Sequence, residues 1–300
     1  MSFTIQKITD LEEAKKYWNI LTPDQSIYDV WDFRYCAYKL TNYELIFYVG
    51  FEDGEPIGLL PLEYNTAGKY LEFFGGSYME DNKIFLKKGY EERAITFWQA
   101  IDQPAKLGYI TANDAYTKNF PIMEYRYSLD LSGCTTIEQY LDKYLEGKQR
   151  KEVSRRIQKT ATMHQVEIVR DAWEDLPALF SNNKEYFGDA STFYLPNREL
   201  LFAEFSHSTF NPTLLTFIVD GVKVAFSFAL VYKDTFYSLN SGLSRLAPKD
   251  FNTYIKIARI QEALARGLRF YDARAYDCGW KQSWNFDAAP LHEFNVGLPA

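Results

Sequence analysis

A carboxylate in the middle of an apolar strand is the first feature of this sequence that could do chemistry. Residues 268–276 alternate as a strand does, which places Asp272 on one face together with Phe270 and Arg274. A carboxylate held in a strand needs a partner. Asp272 is therefore either a structural group paired with Arg274 or a backbone amide, or a functional group that faces a cleft.

Motifs for a nucleophile or a metal site are missing from the sequence. Cys36, Cys134 and Cys278 are odd in number and widely spaced, which fits neither a disulfide framework nor a zinc ligand set, so we expect reduced thiols. The histidines are isolated, and we expect His292 to be a hydrogen-bonded structural residue. No Gly-x-Ser-x-Gly elbow is present. We predict no metal.

A stripe of positive charge follows a predicted helix start. Thr135 or Thr136, with Glu138 or Gln139 three residues later, makes a capping box. We predict one helix from there, and its second half carries these cations: Lys148, Arg150, Lys151, Arg155, Arg156 and Lys159. The stripe is either a solvated face or a face that meets a polyanion, namely the phosphates of coenzyme A or a nucleic-acid backbone.

Composition and charge exclude several classes of protein. The chain has 300 residues, 47% hydrophobic and 17% aromatic, enough for one large or two ordinary domains. The net charge of −7 disfavours nucleic-acid binding over the whole surface. No apolar run approaches the length of a membrane span, and we expect a cytoplasmic protein.

The chain repeats a pattern at a constant offset. Asp53-Gly54 recurs as Asp220-Gly221 and Gly75 as Gly242, because 220 − 53 and 242 − 75 both equal 167. In each copy the Asp-Gly pair stands between two apolar runs, which is a strong hairpin signal, and a third run follows. A short strand and a helix precede each set.

This plan of a strand, a helix, three antiparallel strands, a helix and a strand predicts an α+β fold in two domains. We place the first domain at residues 1–145 and the second at 146–300, with a basic interdomain helix at 146–165. Residues 285–300 are a candidate segment for return to the first domain.

The carboxyl-terminal third carries a family resemblance. A helix over 252–267 ends in Ala265-Arg266-Gly267, and Tyr271-Asp272-Ala273, Trp280-Lys281-Gln-Ser-Trp284 and Pro290-Leu291-His292 follow. In order and spacing these motifs resemble the Fem-like and cellulose-biosynthesis-type acyltransferases. Their fold is two tandem GNAT (Gcn5-related acetyltransferase) domains, each a mixed, largely antiparallel sheet flanked by helices.

The resemblance implies transfer of an acyl or aminoacyl group to an amine of a sugar, a peptide or another small acceptor held between the domains. It implies an oxyanion donor in the backbone of 239–242, where the fourth strand of a GNAT domain splays. Lys281 would orient a carbonyl, and Asp272 would act as the general base. The candidates for substrate binding are Tyr28, Arg34, Asp81, Tyr276, Trp280 and Trp284.

The donor site departs from the family pattern. Where the GNAT loop has glycines that close on a pyrophosphate, this chain has Arg245-Leu-Ala-Pro-Lys-Asp250. The candidates for phosphate binding there are Arg245, Lys249, Asn252 and Thr253. We predict acyl-CoA, such as acetyl-CoA, as the donor, with aminoacyl-tRNA on a cell-wall precursor peptide as the alternative. A noncatalytic binding module that has lost the donor site is the third hypothesis.

Overall fold

The computed structural model describes residues 2–41, 43–112, 114–277 and 279–298, so Cys278 lies outside the described residues. The chain divides into two compact units. Unit 1 takes the chain up to Arg126 together with the segment from Ala289 onward, and unit 2 is Tyr127–Ala288. The domain division at residues 145 and 146 stays a prediction. The change between compact units comes earlier, because Leu129, Tyr140 and Leu145 already lie in the core of unit 2.

Unit 1 is built on a sheet with the strand order β1-β2-β3-β4-β6-β13. Its strands are β1 (Phe3–Ile8), β2 (Glu44–Glu52), β3 (Glu55–Asn65), β4 (Tyr70–Phe73), the short β5 (Phe85–Leu86) that pairs with β3, β6 (Ala105–Thr111) and β13 (Asp287–Val296). Its helices are α1 (Leu11–Leu21), α2 (Trp31–Tyr38) and α3 (Ala94–Gln99). β4 and β6 run parallel, whereas β1–β2, β2–β3, β3–β4 and β6–β13 are antiparallel.

The first helix of unit 1 shows how the sequence sets these elements. Asp10 accepts a hydrogen bond from the backbone N–H of Glu13 at 2.9 Å, which satisfies one of the free amides at the start of α1. Trp18, further along α1, is 1% exposed and packs edge-on against Phe74 and Phe85. Burial of this aromatic face holds α1 on the sheet.

Unit 2 has the strand order β7-β12-β11-β10-β9-β8. Its strands are β7 (Ile122–Asp130, which begins in unit 1), β8 (Val166–Arg170), β9 (Thr213–Val219), β10 (Val222–Tyr232), β11 (Thr235–Leu243) and β12 (Phe270–Ala275). Its helices are α4 (Ile137–Tyr144), α5 (Gly147–Met163), α6 (Leu176–Phe187), α7 (Arg198–Ser206) and α8 (Phe251–Ala265). The predicted α+β class, with a mixed and largely antiparallel sheet flanked by helices, is confirmed.

The repeat is visible in the first hairpin of each unit. Both Asp-Gly pairs form tight turns with two consecutive positive φ angles, 48° and 87° at Asp53-Gly54 and 51° and 83° at Asp220-Gly221. Each hairpin also has a β-bulge. The extra residue is Ile57 in β3 and Val224 in β10, and 224 − 57 equals 167. The same irregularity at the same offset identifies the two hairpins as structural counterparts.

The single helix predicted for the basic stripe is wrong. The structure has two helices, because Leu145 and Glu146 are extended between α4 and α5. Leu145 is 1% exposed and turns into the core, and Gly147 starts α5 with a φ of 50°. The capping box is confirmed, since Thr136 accepts the N–H of Gln139 at 3.3 Å and the Gln139 side chain bonds the Thr136 backbone.

No described helix has the length and apolar character needed to cross a membrane. No cluster of three or more His, Cys, Asp or Glu side chains arranged to hold a metal ion occurs within the described ranges.

Candidate active site

The central strands of unit 2 pair over a short distance and then separate. β11 and β12 run parallel through the pairs Thr235–Phe270, Phe236–Tyr271 and Tyr237–Asp272. β11 continues to Leu243 and β12 to Ala275 beyond the last of these pairs. We call the space between residues 238–243 of β11 and 273–275 of β12 the strand gap.

A β-bulge lies at the start of the strand gap. Ala229 of β10 pairs with Ser238, and the preceding Phe228 pairs with Asn240, so Leu239 is an extra residue in β11. A bulge bends its strand and re-aims the backbone groups beside it. The bulge therefore falls within the segment 239–242 in which an oxyanion donor is predicted.

Helix α6 fixes the backbone of this segment. The buried Asn183 donates from Nδ2 to Oδ1 of Asn240 at 2.8 Å and to the carbonyl of Ser241 at 2.5 Å. Its Oδ1 accepts the Ser191 hydroxyl at 2.6 Å. A methyl group at Gly242 would lie 2.6 Å from the carbonyl oxygen of Leu179, so only glycine allows α6 to approach this closely. The α6 contacts hold the edge of the gap rigidly.

Asp272 and Lys281, the predicted catalytic pair, both hold the end of β12. Oδ1 of Asp272 accepts the N–H of Arg274 at 2.7 Å, where the backbone turns to a φ of 65°. Nζ of Lys281 donates to the carbonyls of Arg274 at 3.0 Å and Ala275 at 2.7 Å. The two side chains are 2% and 5% exposed. Both side chains bond the backbone at the end of β12, these contacts are structural, and the catalytic roles of the two residues stay predictions.

Aromatic side chains follow β12. Trp280 and Trp284 meet edge-on with ring centroids 6.0 Å apart, and Nζ of Lys256 on α8 lies 4.4 Å from the Trp280 centroid. Trp284 is buried and packs in the core, whereas Tyr276 is 67% exposed. Tyr276 is thus the member of the predicted set in unit 2 whose ring is largely exposed, and Trp280 is half-buried against the core.

The loop before α8 fits a pyrophosphate poorly. The amide of Leu246 donates to the Ser244 hydroxyl, and those of Ala247, Phe251 and Thr253 donate to carbonyls within the same loop and helix start. Pro248 has no N–H, and the Asp250 carboxylate stands at the start of α8. These amides are therefore committed, whereas the GNAT pattern uses free amides to hold phosphate.

The predicted phosphate-binding side chains are spread along this loop. Arg245 and Lys249 are exposed, and Arg245 lies 3.2 Å from the Glu185 carboxylate. Asn252 donates to the Tyr186 hydroxyl at 2.8 Å, and Thr253 is 6% exposed. Of these four side chains, only those of Arg245 and Lys249 carry a positive charge for a phosphate.

In unit 1 the candidates Tyr28 and Arg34 lie in the core, each 0% exposed. The Arg34 guanidinium donates to the carbonyls of Tyr28, Phe74 and Asp81 and to Oδ1 of Asn82, at 2.6–2.9 Å. Burial lowers the pKa of Arg34 to about 10, although nearby carboxylates oppose the change. Neither side chain presents a surface to an acceptor, so their binding role stays a prediction.

Asp81 is also buried, at 7% exposure, and its carboxylate meets Lys83 at 3.3 Å and Arg126 at 2.9 Å. Burial alone would raise the pKa of Asp81, but these two cations and the Thr111 hydroxyl hold it at about 2. Asp81 is thus a firmly ionised anchor of unit 1. Nδ1 of His292, which is expected to be structural, donates to the Phe120 carbonyl at 2.8 Å.

Sequence reasoning missed two acidic residues, Glu63 and Glu72. They face each other across β3 and β4. Glu63 is 0% exposed, and burial raises its pKa well above the ordinary value. The available signal was the one used for Asp272, a charged residue inside an apolar strand, because Glu63 follows Gly58-Leu-Leu-Pro-Leu62.

Comparison with known proteins agrees with this geometry. Residues 147–282 match the family model described as acetyltransferase (GNAT) domain. This segment of unit 2 is thus similar to a GNAT acetyltransferase domain. The match takes in α5, the strand gap, the loop before α8 and Lys281. No curated protein sequence matches the chain significantly.

Solved structures extend the GNAT fold to the whole chain. FemX is similar with a TM-score of 0.60 and 13% identity over 98% of this chain and 97% of that one. L-PGS from Bacillus licheniformis gives 0.56 and 12% over 97% and 93%. A tandem GNAT protein from the clavulanic acid biosynthesis pathway gives 0.51 and 8% over 100% of both chains. These likenesses establish the tandem GNAT fold.

Proposed function

We propose that unit 2 transfers an acyl group from an activated ester or thioester to the amine of a small acceptor, and that the reaction takes place in the strand gap. The observation that carries this proposal is the bulge at Leu239 where β11 parts from β12. Among the described residues, β11 and β12 are not paired beyond Tyr237–Asp272, so β12 does not cover the backbone of 239–243 on this side. The Ser241 amide is engaged by Oδ1 of Asn240 at 2.8 Å, so the donor that meets the charge developing on an attacked carbonyl oxygen would be another backbone amide of this segment.

The reaction requires few groups from the protein. The amine nitrogen attacks the carbonyl carbon, a C–N bond forms, and the C–O or C–S bond to the leaving group breaks. The amine loses a proton and the leaving group gains one. The chain's own contribution is to hold 239–242 through α6 and the end of β12 through Asp272 and Lys281.

Lys281 acts in this proposal as a positioning residue. Its ammonium bonds the carbonyls of Arg274 and Ala275, and Nζ lies 5.1 Å from the Tyr127 ring centroid. An aromatic acceptor wall of Tyr276 and Trp280 suits a sugar or peptide amine, because rings pack well on the apolar faces of both.

Acyl-CoA is the first donor to test, because the GNAT domain family is defined by acetyl transfer. The committed amides and Asp250 of the loop before α8 weigh against a pyrophosphate held in the usual way. Arg245 and Lys249 are the side chains that would hold the phosphates by charge alone.

An aminoacyl-tRNA donor is the second candidate, and the position of α5 favours it. Arg156 of α5 lies 3.7 Å from Asp250, so the basic helix runs beside the loop before α8. Arg150, Arg155 and Arg156 are held in ion pairs with Asp142 and Glu152. Lys148, Lys151 and Lys159 are exposed along the same helix. A row of exposed cations suits a phosphodiester backbone.

Calorimetric titration of the full chain with acetyl-CoA and with free coenzyme A separates the two donors. Micromolar binding that Lys249→Ala weakens and Lys118→Ala does not would support acyl-CoA; Lys118 is an exposed lysine of unit 1. Binding of aminoacyl-tRNA that the double change Lys148→Glu, Lys151→Glu abolishes would support the second candidate. Binding of neither donor, with no transfer to any amine tested, would overturn the proposed reaction.

A further inference from the structure

The backbone of β11 presents its polar groups alternately to β10 and to the strand gap. The amide of Ser244 donates to the carbonyl of Val224 at 2.8 Å, and the register continues without a shift from there back to Asn240. In an antiparallel ladder every second residue bonds the neighbouring strand. The amides of Asn240 and Gly242 therefore face β10, and the amide and the carbonyl of Ser241 face the gap.

Both of these groups of Ser241 are already bonded within unit 2. The amide donates to Oδ1 of Asn240 at 2.8 Å, and the carbonyl accepts Nδ2 of Asn183 at 2.5 Å. The two bonds fix the main chain of Ser241. They also keep its amide from a substrate carbonyl, which leaves the bulged Leu239 as the remaining backbone donor of the segment 239–242.

The side chain of Ser241 leaves the sheet on the face that α8 covers. Ser241 pairs with Ser227, and Ser227 pairs on its other side with Leu215, which packs in one core with Phe251 of α8. Paired residues of neighbouring strands point to the same face. Gly242 agrees with this assignment from the opposite face, since a methyl group there would meet α6. The Ser241 hydroxyl thus lies on the α8 face, at the edge of the strand gap.

This hydroxyl is able to bond a ligand. Ser241 is half-buried, and in the part of the chain that the structure describes its Oγ makes no hydrogen bond. The other side chains of the segment offer no such group. Leu239 is apolar, and the Asn240 amide is bonded at both ends, to Asn183 through Oδ1 and to Thr192 through Nδ2 at 3.2 Å. Ser241 therefore carries the uncommitted side-chain donor of 239–242.

We propose that the Ser241 hydroxyl donates a hydrogen bond to the carbonyl oxygen of the acyl donor, as a second oxyanion donor beside the backbone. This role rests on the proposed acyl transfer in the strand gap. When the amine attacks, an electron pair of the C=O bond moves to oxygen, and the hydrogen bond strengthens on that negative charge. The O–H bond of Ser241 stays intact, so the balance of the proposed reaction is unchanged.

A donor role fits this serine better than a nucleophilic one. A serine attacks a carbonyl when a base within hydrogen-bond reach takes its proton. Across the described ranges no His, Asp, Glu or Lys side chain bonds the Ser241 hydroxyl. Its cross-strand neighbour is Ser227, whose own hydroxyl is buried without a partner. We therefore expect no acyl-enzyme on Ser241.

Steady-state kinetics of the full chain test the role, with acetyl-CoA, p-nitrophenyl acetate or aminoacyl-tRNA as donor and glucosamine or glycinamide as acceptor. We expect Ser241→Ala to lower kcat by about hundredfold with little change in the donor KM, because the bond is strongest in the transition state. Ser241→Thr keeps a hydroxyl and should restore most of the rate. Ser227→Ala removes the paired hydroxyl, which is closed to solvent, and should leave kcat unchanged.

A second measurement does not depend on turnover. In infrared spectra the isotope-labelled carbonyl of bound acetyl-CoA should absorb at lower frequency in the unchanged protein than in Ser241→Ala, because a hydrogen bond weakens the C=O bond. Equal frequencies, or an unchanged rate for Ser241→Ala, would overturn the role of Ser241 and leave the proposed reaction standing. A covalent acyl group on Ser241 in acid-quenched samples would also overturn it. Absence of transfer from all three donors by the unchanged protein would overturn the proposed reaction, and this role with it.

Discussion

The second hairpins of the two units stand at the same offset and have diverged. Glu63 and Glu72 of unit 1 correspond to Leu230 and Leu239 of unit 2, since 230 − 63 and 239 − 72 both equal 167. In unit 1 the two glutamates pair directly in a regular ladder. In unit 2 Leu239 is the bulged residue, and the strand beside it departs. Unit 1 thus keeps two directly paired glutamates at this place, whereas unit 2 has two leucines and a strand that parts from its neighbour.

A change of register accompanies this divergence. Tyr70 pairs with Asn65 in unit 1, whereas its counterpart Tyr237 pairs with Leu230, two residues short of the position that the offset predicts. The first hairpins match residue for residue, so the copies separate only from the third strand onward. The difference teaches that a duplicated scaffold can keep one hairpin and change the chemistry of the next.

The largest expected effect is at the opened strand. Gly242→Ala places a methyl group 2.6 Å from the Leu179 carbonyl, so α6 must move and Asn183 loses its hold on Asn240 and Ser241. We expect acyl transfer to fall about hundredfold, the effect of an ångström-scale displacement at a reacting centre. Initial rates and the circular dichroism spectrum measure this. Gly221→Ala is the control, and equal rates for the two variants would separate α6 from the reaction.

The second largest effect is expected when the buried ammonium of Lys281 at the end of β12 is removed. Lys281→Met leaves the carbonyls of Arg274 and Ala275 without this donor, and we expect the free energy of unfolding to fall by about 2–3 kcal/mol. Urea unfolding measures it, with Lys256→Met on α8 as the control. Residual transfer should keep the pH profile of the unchanged protein. Loss of one limb of that profile would instead make Lys281 an acid or base.

The paired carboxylates should make the free energy of unfolding depend on pH, with an effect of similar or smaller size. Unit 2 lacks this effect because it has leucines at the corresponding positions. Burial raises the folded-state pKa of Glu72 to about 7 from 4.5, so the folded protein keeps this proton longer than the unfolded chain. The free energy of unfolding should therefore fall as the pH rises from 4.5 to 7, by about 2 kcal/mol from this group. Urea unfolding at several pH values should show a shallower decline for Glu72→Gln. An unchanged slope would refute the assignment.

The smallest effect concerns the part that the two copies share. Gly54→Ala and Gly221→Ala both place a side chain at a φ above 80° with nothing within 4 Å. Each should lower the free energy of unfolding by about 1 kcal/mol, and the two values should agree. Thermal or urea unfolding of both variants measures the comparison. A large difference would show that the hairpins are not energetic counterparts.

Much of the fold follows from local signals in the sequence. The Asp-Gly turns, the strand at Phe3–Ile8 and the Thr136 capping box each depend on a few neighbouring residues, and each is confirmed. The break between α4 and α5 was hidden, because Leu145 continues the apolar period of the helix while its burial depends on the tertiary core. A local pattern alone does not show whether a helix continues or breaks at an apolar residue such as Leu145.

The residues of the candidate sites fall into the same two groups: those indicated by a local pattern and those that only the structure identifies. Alternation along β12 identified Asp272, and its position at the last β11–β12 pair came from the structure. The bulge at Leu239 depends on the register with β10, and the pair of Glu63 and Glu72 depends on the register with β4. Residues brought together by strand pairing are distant in the chain, so a sequence read in short windows treats each one alone.

The return of the chain to unit 1 has a consequence for the order of folding. β13 lies beside β6 through pairs such as Leu291–Thr111, and 291 − 111 equals 180. Unit 2 is one continuous segment, so it can fold as soon as that segment leaves the ribosome. Unit 1 must wait for its last strand and close a long loop to place it. Until then the backbone of β6 on the β13 side is an open sheet edge, which makes the nascent first unit the part of this protein most exposed to aggregation.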